Sequence, residues 1–179
     1  MTDELPGDLS AQEKTKRMIR VDHAGEYGAT RIYAGQLALL GRGGKGDLLR
    51  HMQAQEQAHL HTFNGMIADR RVRPTALLPL WHLAGFALGA VSAAMGEKAA
   101  MACTVAVEEA IDEHYSAQLE SLGAAEPELR QIVEKFRSEE LEHRDLGLDH
   151  GAEQAPGYQL MSRVIKAGCR AAIAISERI

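Results

Sequence analysis

The strongest constraint on the fold of this chain is a repeated order of glutamates and histidines. In each half, a glutamate is followed after about thirty residues by a Glu-x-x-His pair. The six residues are Glu26, Glu56, His59, Glu108, Glu140 and His143. Residues three apart in a helix lie on the same face, so each pair can contact one metal ion. The sequence therefore predicts a carboxylate-bridged dimetal site at the centre of an all-α four-helix bundle.

The charges of these six residues agree with a dimetal site. Four carboxylates balance two divalent cations, whereas an unpaired carboxylate in a helical core is unstable or becomes protonated. Glu108 follows the apolar residues 102–107, so it needs a partner. A single Glu-x-x-His pair is more often part of an exposed polar face, but that alternative leaves the duplicated spacing unexplained.

Length and composition favour one globular domain that does not bind nucleic acid. A chain of 179 residues can bury a substantial core. We expect residues 1–10 to form a polar tail and residues 11–179 to form the metal-binding domain. The net charge of −5 argues against nucleic acid as a partner. The N-terminus resembles neither a signal peptide nor a transit peptide, which indicates a bacterial protein or a processed or truncated form.

The two cysteines do not form a recognisable metal motif. Cys103 and Cys169 lie far apart in apolar patterns, without a second cysteine or a histidine cluster nearby. A zinc ribbon or an iron–sulfur cluster is therefore not supported by the sequence. Both are expected to be small buried residues in a reducing compartment.

Helix boundary signals divide the chain into the required helices. A capping box at residues 10–13 starts a helix that ends at about Leu40, before Gly41. Residues 41–46 match G-x-G-x-x-G, but no strand precedes them, so we interpret them as a turn. We expect Asp47 to cap the second helix, which ends near Arg70. The third helix is expected to end near Gly123, and the fourth to begin at Pro127 and end around Gly147.

Residues 74–96 contain no Asp, Glu, Lys or Arg and are long enough to cross a bilayer. Pro79, His82, Gly85 and Gly89 interrupt the segment, and a single span would separate the two halves of the metal site. Three alternatives remain: a buried crossover, a hydrophobic insertion in or on the membrane, and a transmembrane helix. The sequence favours the hydrophobic insertion.

The last helix, after Pro156, is amphipathic. Its basic side carries Arg163, Lys166 and Arg170, and such a helix suits an anionic membrane surface. The alternative is a helix that packs against the bundle with its basic side in solvent. Gly168 on the apolar side favours that alternative, because glycine permits close approach of another backbone.

Several residues are candidates to support the metal ligands. Tyr33 and Tyr115 each follow a ligand glutamate by seven residues and so lie on its face. Tyr115 and His114 are candidate catalytic residues for substrate contact or proton supply, with structural packing as the alternative. Gln55 and Glu139 precede the pair glutamates, and either could orient an opposing histidine.

Three segments of the sequence are more specific than a generic dimetal pattern. Residues 20–28 (RVDHAGEYG), 102–109 (ACTVAVEE) and 139–143 (EELEH) closely resemble the demethoxyubiquinone hydroxylase family. The similarity extends from about Met18 to Ile179. It implies a ferritin-like four-helix bundle with a hydrophobic crossover and a C-terminal amphipathic helix. It also implies that the six residues named above bind two iron ions.

The resemblance also implies partners and a location. The substrate would be demethoxyubiquinone, a prenylated quinone, hydroxylated on its ring by an atom from O2. The chain has no flavin or NAD motif, so electrons would come from NADH through the quinone or from a separate reductase. Other ubiquinone-biosynthesis proteins are further expected partners. The expected location is the cytoplasmic face of the bacterial inner membrane, or the mitochondrial inner membrane for a processed eukaryotic form.

Other functions are compatible with the same ligand set. The nearest alternative is another ferritin-like di-iron or dimanganese oxidase or peroxidase with a different substrate. Iron storage is a second class, although the apolar segment 74–96 argues against a soluble cage. A metal-free membrane scaffold is disfavoured, because all six ligands are present.

Overall fold

A computed structural model describes residues 9–122 and 126–179. Within these ranges the chain is helical and contains no strand, which confirms the predicted all-α class. The helices are α1 (Ala11–Leu40), α2 (Gly46–Asp69), α3 (Leu78–Ala94), α4 (Glu97–Leu122), α5 (Pro127–Asp149) and α6 (Tyr158–Ser176), with a 3-10 turn at Ala152–Gln154. Most of the predicted polar tail, and the helix end predicted at Gly123, lie outside the described residues.

Helices α1, α2, α4 and α5 form the bundle, in which α1 packs against α2 and α4 packs against α5. Two apolar clusters fill its interior. One contains Met52 of α2, and the other contains Phe63 of the same helix. Glu56 lies between these two residues in the sequence, so the polar centre of the bundle is enclosed by apolar side chains at both ends.

Local sequence signals set most helix boundaries. The Ser10 side chain accepts a hydrogen bond from the backbone N–H of Glu13, and the Glu13 carboxylate accepts one from Ser10 N–H, which confirms the capping box. The cap predicted at Asp47 is wrong. Helix α2 already begins at Gly46, and Asp47 instead forms an exposed ion pair with Arg50 at 2.6 Å.

Helix α5 ends at Asp149, which agrees with the end predicted around Gly147. Gly147 itself packs closely against α4. A Cβ at Gly147 would lie 2.7 Å from Val105 Cγ2 and 3.2 Å from the carbonyl oxygen of Met101. This glycine therefore allows two helices to pack closely and does not act as a terminator.

Helix α3 lies along α1, and glycines allow the two helices to approach closely. A Cβ at Gly85 would lie 2.9 Å from the carbonyl oxygen of Gly28, and one at Gly35 would lie 2.7 Å from the backbone nitrogen of Ala90. The two backbones are therefore in close contact. Among the described residues, no helix has the length and the apolar character that crossing a membrane requires.

The outer face of α3 is exposed. Leu80, Leu83, Val91 and Met95 each expose at least half of their surface. The alternative of a buried crossover is therefore wrong for this face, although the inner face packs against α1. An exposed row of large apolar side chains on a helix is a recognised sign of an interaction surface.

Helix α6 packs against α4 through apolar residues that include Ile165, and its basic side forms ion pairs beside this contact. Lys166 Nζ lies 2.8 Å from Glu109, and Arg170 contacts the carboxylate of Glu113 at 2.8 Å. Helix α6 thus packs on the bundle, as the packing alternative predicts, but two of its three basic residues are paired with α4 and do not form a fully solvated face. The reason given for that alternative is wrong, however, because a Cβ at Gly168 would meet nothing within 4 Å.

Candidate metal centre

The four bundle helices bring all six predicted ligand residues to one place. α1 supplies Glu26, α4 supplies Glu108, and α2 and α5 supply one Glu-x-x-His pair each. Each of the six is at most 1% exposed. Four carboxyl groups and two imidazoles therefore lie in an interior from which water is excluded, where isolated charges are strongly destabilising.

Their ligand atoms form two overlapping groups, each spanning no more than 4.8 Å. The first group consists of Glu26, Glu56, His59 and Glu140, and the second consists of Glu56, Glu108, Glu140 and His143. Glu56 and Glu140 belong to both groups. These buried acidic and histidine residues could hold metal ions, with the two shared carboxylates as bridges.

The inward-facing atoms of the cluster make no well-aligned hydrogen bond, although the Nδ1 atoms of His59 and His143 lie 3.1 to 3.2 Å from oxygens of Glu56 and Glu140. These inward-facing atoms are Glu26 Oε2, both carboxylate oxygens of Glu56, His59 Nδ1, Glu108 Oε2, both carboxylate oxygens of Glu140, and His143 Nδ1. Leaving a buried polar group unsatisfied costs about 1–3 kcal/mol. Cations would satisfy all of these atoms at once, and a set of carboxylates and imidazoles suits iron or manganese.

The outward-facing atoms of the glutamates at the ends of the cluster are satisfied by tyrosines from the other half of the chain. Tyr33 Oη donates to Glu108 Oε1 at 2.9 Å, and Tyr115 Oη donates to Glu26 Oε1. Burial, followed by the nearby carboxylates, raises the pKa of both tyrosines well above 10, so both remain donors. Seven residues span about 10 Å of helix, so neither tyrosine contacts the glutamate of its own helix.

The outward-facing nitrogens of the histidines also have partners, which confirms a sequence prediction. His59 Nε2–H donates to Glu139 Oε2 at 2.7 Å, and His143 Nε2–H donates to Gln55 Oε1 at 3.0 Å. The ring of Phe136 stacks on His59 with the centroids 3.9 Å apart. Both imidazoles are thus held with Nδ1 directed into the cluster.

Protonation of the cluster follows from its burial. Burial, followed by repulsion from Glu140, raises the pKa of Glu56 well above its usual range, and Glu108 is affected in the same direction by the same causes. Burial alone would also raise the pKa of Glu140, but contacts with His143 and His59 outweigh it and hold this pKa at about 2. Cations that bind here therefore displace protons, so their affinity rises with pH.

His114 does not contact any of the six residues. Its Nε2 lies 3.1 Å from Asp22 Oδ1, and Gln118 Nε2 donates to the same oxygen at 2.6 Å. Asp22 and Gln118 were not predicted from the sequence. The available signal was their helical spacing, because Gln118 follows His114 by four residues and Asp22 precedes Glu26 by four.

An apolar cavity of about 410 Å³ lies between α1, α3, α4 and α6. Gly25 and Val107, which line it, directly precede the cluster residues Glu26 and Glu108. Helices α1 and α4 therefore carry metal-site residues and cavity-lining residues on neighbouring faces. The other lining residues are Val21, Ala24, Gly28, Ala29, Ile32, Trp81, Ala84, Gly85, Leu88, Ile111, Val164, Ile165, Gly168, Cys169, Ala172, Ile173 and Ser176.

Comparison with known families agrees with this site. The family described as "Ubiquinone biosynthesis protein COQ7" matches residues 13–176, which include all six residues of the cluster. The chain belongs to this COQ7 family. The resemblance inferred from residues 20–28, 102–109 and 139–143 is therefore confirmed.

Relatives of this COQ7-family chain come from bacteria and eukaryotes. A "3-demethoxyubiquinol 3-hydroxylase" of Rhodospirillum rubrum is 58% identical over 99% of this chain and 84% of its own length. A human "NADPH-dependent 3-demethoxyubiquinone 3-hydroxylase, mitochondrial" is 56% identical over 96% of this chain and 81% of its own. A "5-demethoxyubiquinone hydroxylase, mitochondrial" of Saccharomyces cerevisiae is 42% identical over 91% of this chain and 77% of its own length.

Proposed function

We propose that this chain is a di-iron monooxygenase that hydroxylates the ring of demethoxyubiquinone with O2 and two electrons. The observation that carries the proposal is the set of unsatisfied atoms of the buried cluster, directed inward beside an apolar cavity. The names of the relatives from Rhodospirillum rubrum and human supply the substrate and the reaction.

The six cluster residues would hold two iron ions, with Glu56 and Glu140 shared between them. Held by these residues, reduced iron would supply the electrons that O2 activation requires. The protein holds the ligands in position through Tyr33, Tyr115 and the partners of the histidines, and it excludes water with the apolar clusters above and below. The donor set supports iron or manganese, and the hydroxylase names of the relatives favour iron.

The substrate would occupy the apolar cavity. Its lining is formed almost entirely by aliphatic side chains and glycines, which suits a prenylated quinone. The indole of Trp81 and the hydroxyl of Ser176 also line the cavity, but they satisfy each other through a 3.0 Å hydrogen bond. Gly25 and Val107 would position the ring close to Glu26 and Glu108.

Tyr115 is the better placed of the two candidate catalytic residues. Its hydroxyl donates to Glu26, so it can hold or return a proton at that carboxylate. His114 is next to it in the sequence, with ring centroids 6.0 Å apart, and is held by Asp22. We propose that His114 supplies protons from the surface, because its side chain is partly exposed.

Two electron donors are compatible with the proposed reaction: a reduced nicotinamide and a separate reductase. The human relative is named NADPH-dependent, which favours the nicotinamide for this chain. Electron transfer through the quinone requires its ring to lie near the metal ions. A quinone bound in the proposed cavity would meet this requirement.

Complementation tests the proposed reaction. Expression of this chain in a strain that lacks the hydroxylase should lower demethoxyubiquinone and restore ubiquinone, measured by mass spectrometry of extracted lipids. The Glu140→Ala variant should leave the demethoxy compound accumulated. Continued accumulation with the wild-type chain, when the protein is expressed and iron-loaded, would contradict the assignment.

We also propose that the exposed apolar faces of α3 and α6 contact the membrane that contains the substrate. Leu83 is 69% exposed on α3, and Leu160 and Val164 are similarly exposed on α6. Both helices line the cavity, so a prenylated quinone could enter laterally from the bilayer. The expected location is peripheral, on the cytoplasmic face of the bacterial inner membrane, or on the mitochondrial inner membrane for a eukaryotic form.

The apolar face of α3 should bind vesicles more strongly than the charges of α6. A Leu80→Glu, Leu83→Glu double variant should lose most binding to anionic lipid vesicles, since each charge placed in hydrocarbon costs about 2–4 kcal/mol. High salt should release less protein, because Lys166 and Arg170 are already paired with α4. A flotation assay measures both effects.

Leu39→Glu is the matched control for this test. Leu39 is 50% exposed at the end of α1 and does not line the cavity, so this variant should float like the wild type. Equal binding of the double variant and the wild type would show that α3 is not the membrane contact.

A further inference from the structure

The two halves of the cluster differ in the partner behind each histidine. His59 Nε2–H donates to a carboxylate, Glu139, whereas His143 Nε2–H donates to a neutral amide, Gln55. We infer that the two ion positions are unequal, and that the position formed by Glu26 and His59 binds a divalent cation more tightly than the position formed by Glu108 and His143. This inference rests on the proposed dimetal centre and concerns its order of loading.

The remaining contacts of the two positions are closely matched. Each has one unshared glutamate that accepts a hydrogen bond from a buried tyrosine, and both share Glu56 and Glu140. A difference in affinity must therefore come from elsewhere. The partners of the histidines are the clearest polar difference between the positions.

A carboxylate partner strengthens an imidazole ligand. A hydrogen bond from N–H to a charged acceptor is stronger and shorter than one to a neutral acceptor, and here the distances are 2.7 Å and 3.0 Å. The negative charge of Glu139 raises the electron density of the His59 ring and makes Nδ1 a better donor. Lys135 lies 3.6 Å from the other oxygen of Glu139, but it is mostly exposed and offsets little of this charge.

Ring packing adds to the same difference. The His59 ring lies flat against Phe136, with centroids 3.9 Å apart and an interplanar angle of 24°. The His143 ring contacts Tyr33 only edge-on, at 6.1 Å. His59 is therefore fixed both by its hydrogen bond and by stacking, and less conformational freedom remains to be lost when an ion binds.

Titration of the metal-free full-length protein with Co2+ tests the inference. Visible absorption should show two binding steps. Glu139→Gln should weaken the tighter step by about 10- to 100-fold, the usual range for loss of such a partner. Gln55→Glu should strengthen the weaker step, a gain that misfolding cannot produce. Glu142→Gln, which removes an exposed carboxylate from the same turn of α5, should change neither step.

Proton NMR of the histidine N–H groups identifies which position fills first. With one equivalent of Co2+, a single shifted N–H signal should appear in the wild type, and Glu139→Gln should change it; in Gln55→Glu, where both histidines have a carboxylate partner, a second signal should appear. In the double variant Glu139→Gln, Gln55→Glu, the position of His143 should fill first. Equal steps in the wild type, or an unchanged tighter step in Glu139→Gln, would overturn the inference alone. Failure to bind two ions would overturn the dimetal centre with it.

Discussion

Replacement of Glu56 or Glu140 by alanine is expected to remove both metal ions from the chain, whereas replacement of Glu26 or Glu108 is expected to remove only one. The first two residues belong to both ligand groups, and the other two belong to one group each. Elemental analysis of purified protein, after loading with excess Fe2+ and desalting, gives the metal content per chain. Glu142→Ala, at an exposed position in α5, is the control and should retain both ions.

Stability measurements separate loss of the site from loss of the fold. In the metal-free protein, both carboxylate oxygens of Glu56 are buried and make no well-aligned hydrogen bond, although His143 Nδ1 lies 3.1 Å from Oε1. A Glu56→Met substitution should therefore raise the free energy of unfolding of the metal-free protein by about 1–3 kcal/mol, while it abolishes metal binding. Urea denaturation measures this change. Full metal occupancy in both Glu56→Ala and Glu140→Ala would refute the assignment of the site.

Replacement of Gly168 by leucine is expected to block the quinone cavity without disturbing the metal site. Gly168 lines the cavity, and a Cβ there would meet nothing within 4 Å, so the new side chain would occupy space that the substrate needs. We expect kcat/KM for a short-chain demethoxyubiquinone to fall about 10- to 200-fold, the effect of losing a few kcal/mol of apolar contact. Iron content should stay at the wild-type value.

Gly65→Leu is the matched control for this substitution. Gly65 is exposed in α2 and does not line the cavity, and a Cβ there would also meet nothing within 4 Å. Both substitutions replace a helical glycine by leucine, which favours the helix by about 0.8 kcal/mol. Unchanged kinetics in Gly168→Leu would show that the substrate binds elsewhere.

The sequence predicted the bundle and the clustering of the six residues because both depend on short-range helical spacing. A Glu-x-x-His pair lies on one face wherever its helix packs, and the two pairs and two single glutamates can share metal ions only at a common centre. The partners of His59 and His143 were predictable for the same reason, since Gln55 and Glu139 directly precede the pair glutamates.

The places where two helix backbones come into close contact could not be predicted from the sequence. Gly168 was expected to permit close backbone approach, but it borders open space. The end of α5 was expected around Gly147 and lies at Asp149, but the sequence did not show that Gly147 itself allows close packing against α4. In both cases a glycine in the sequence is compatible with close packing, with a helix end or with a cavity. Only the position of the neighbouring helix distinguishes these roles.

The exchange of hydrogen bonds between the two halves affects how the protein can fold. Glu26 depends on Tyr115, Glu108 depends on Tyr33, and His59 depends on Glu139, so each half supplies what the other half lacks. Neither helical hairpin can satisfy its buried polar groups alone. Folding is therefore expected to be a single cooperative transition, in which a chain cleaved between the halves keeps its structure only while both fragments stay associated.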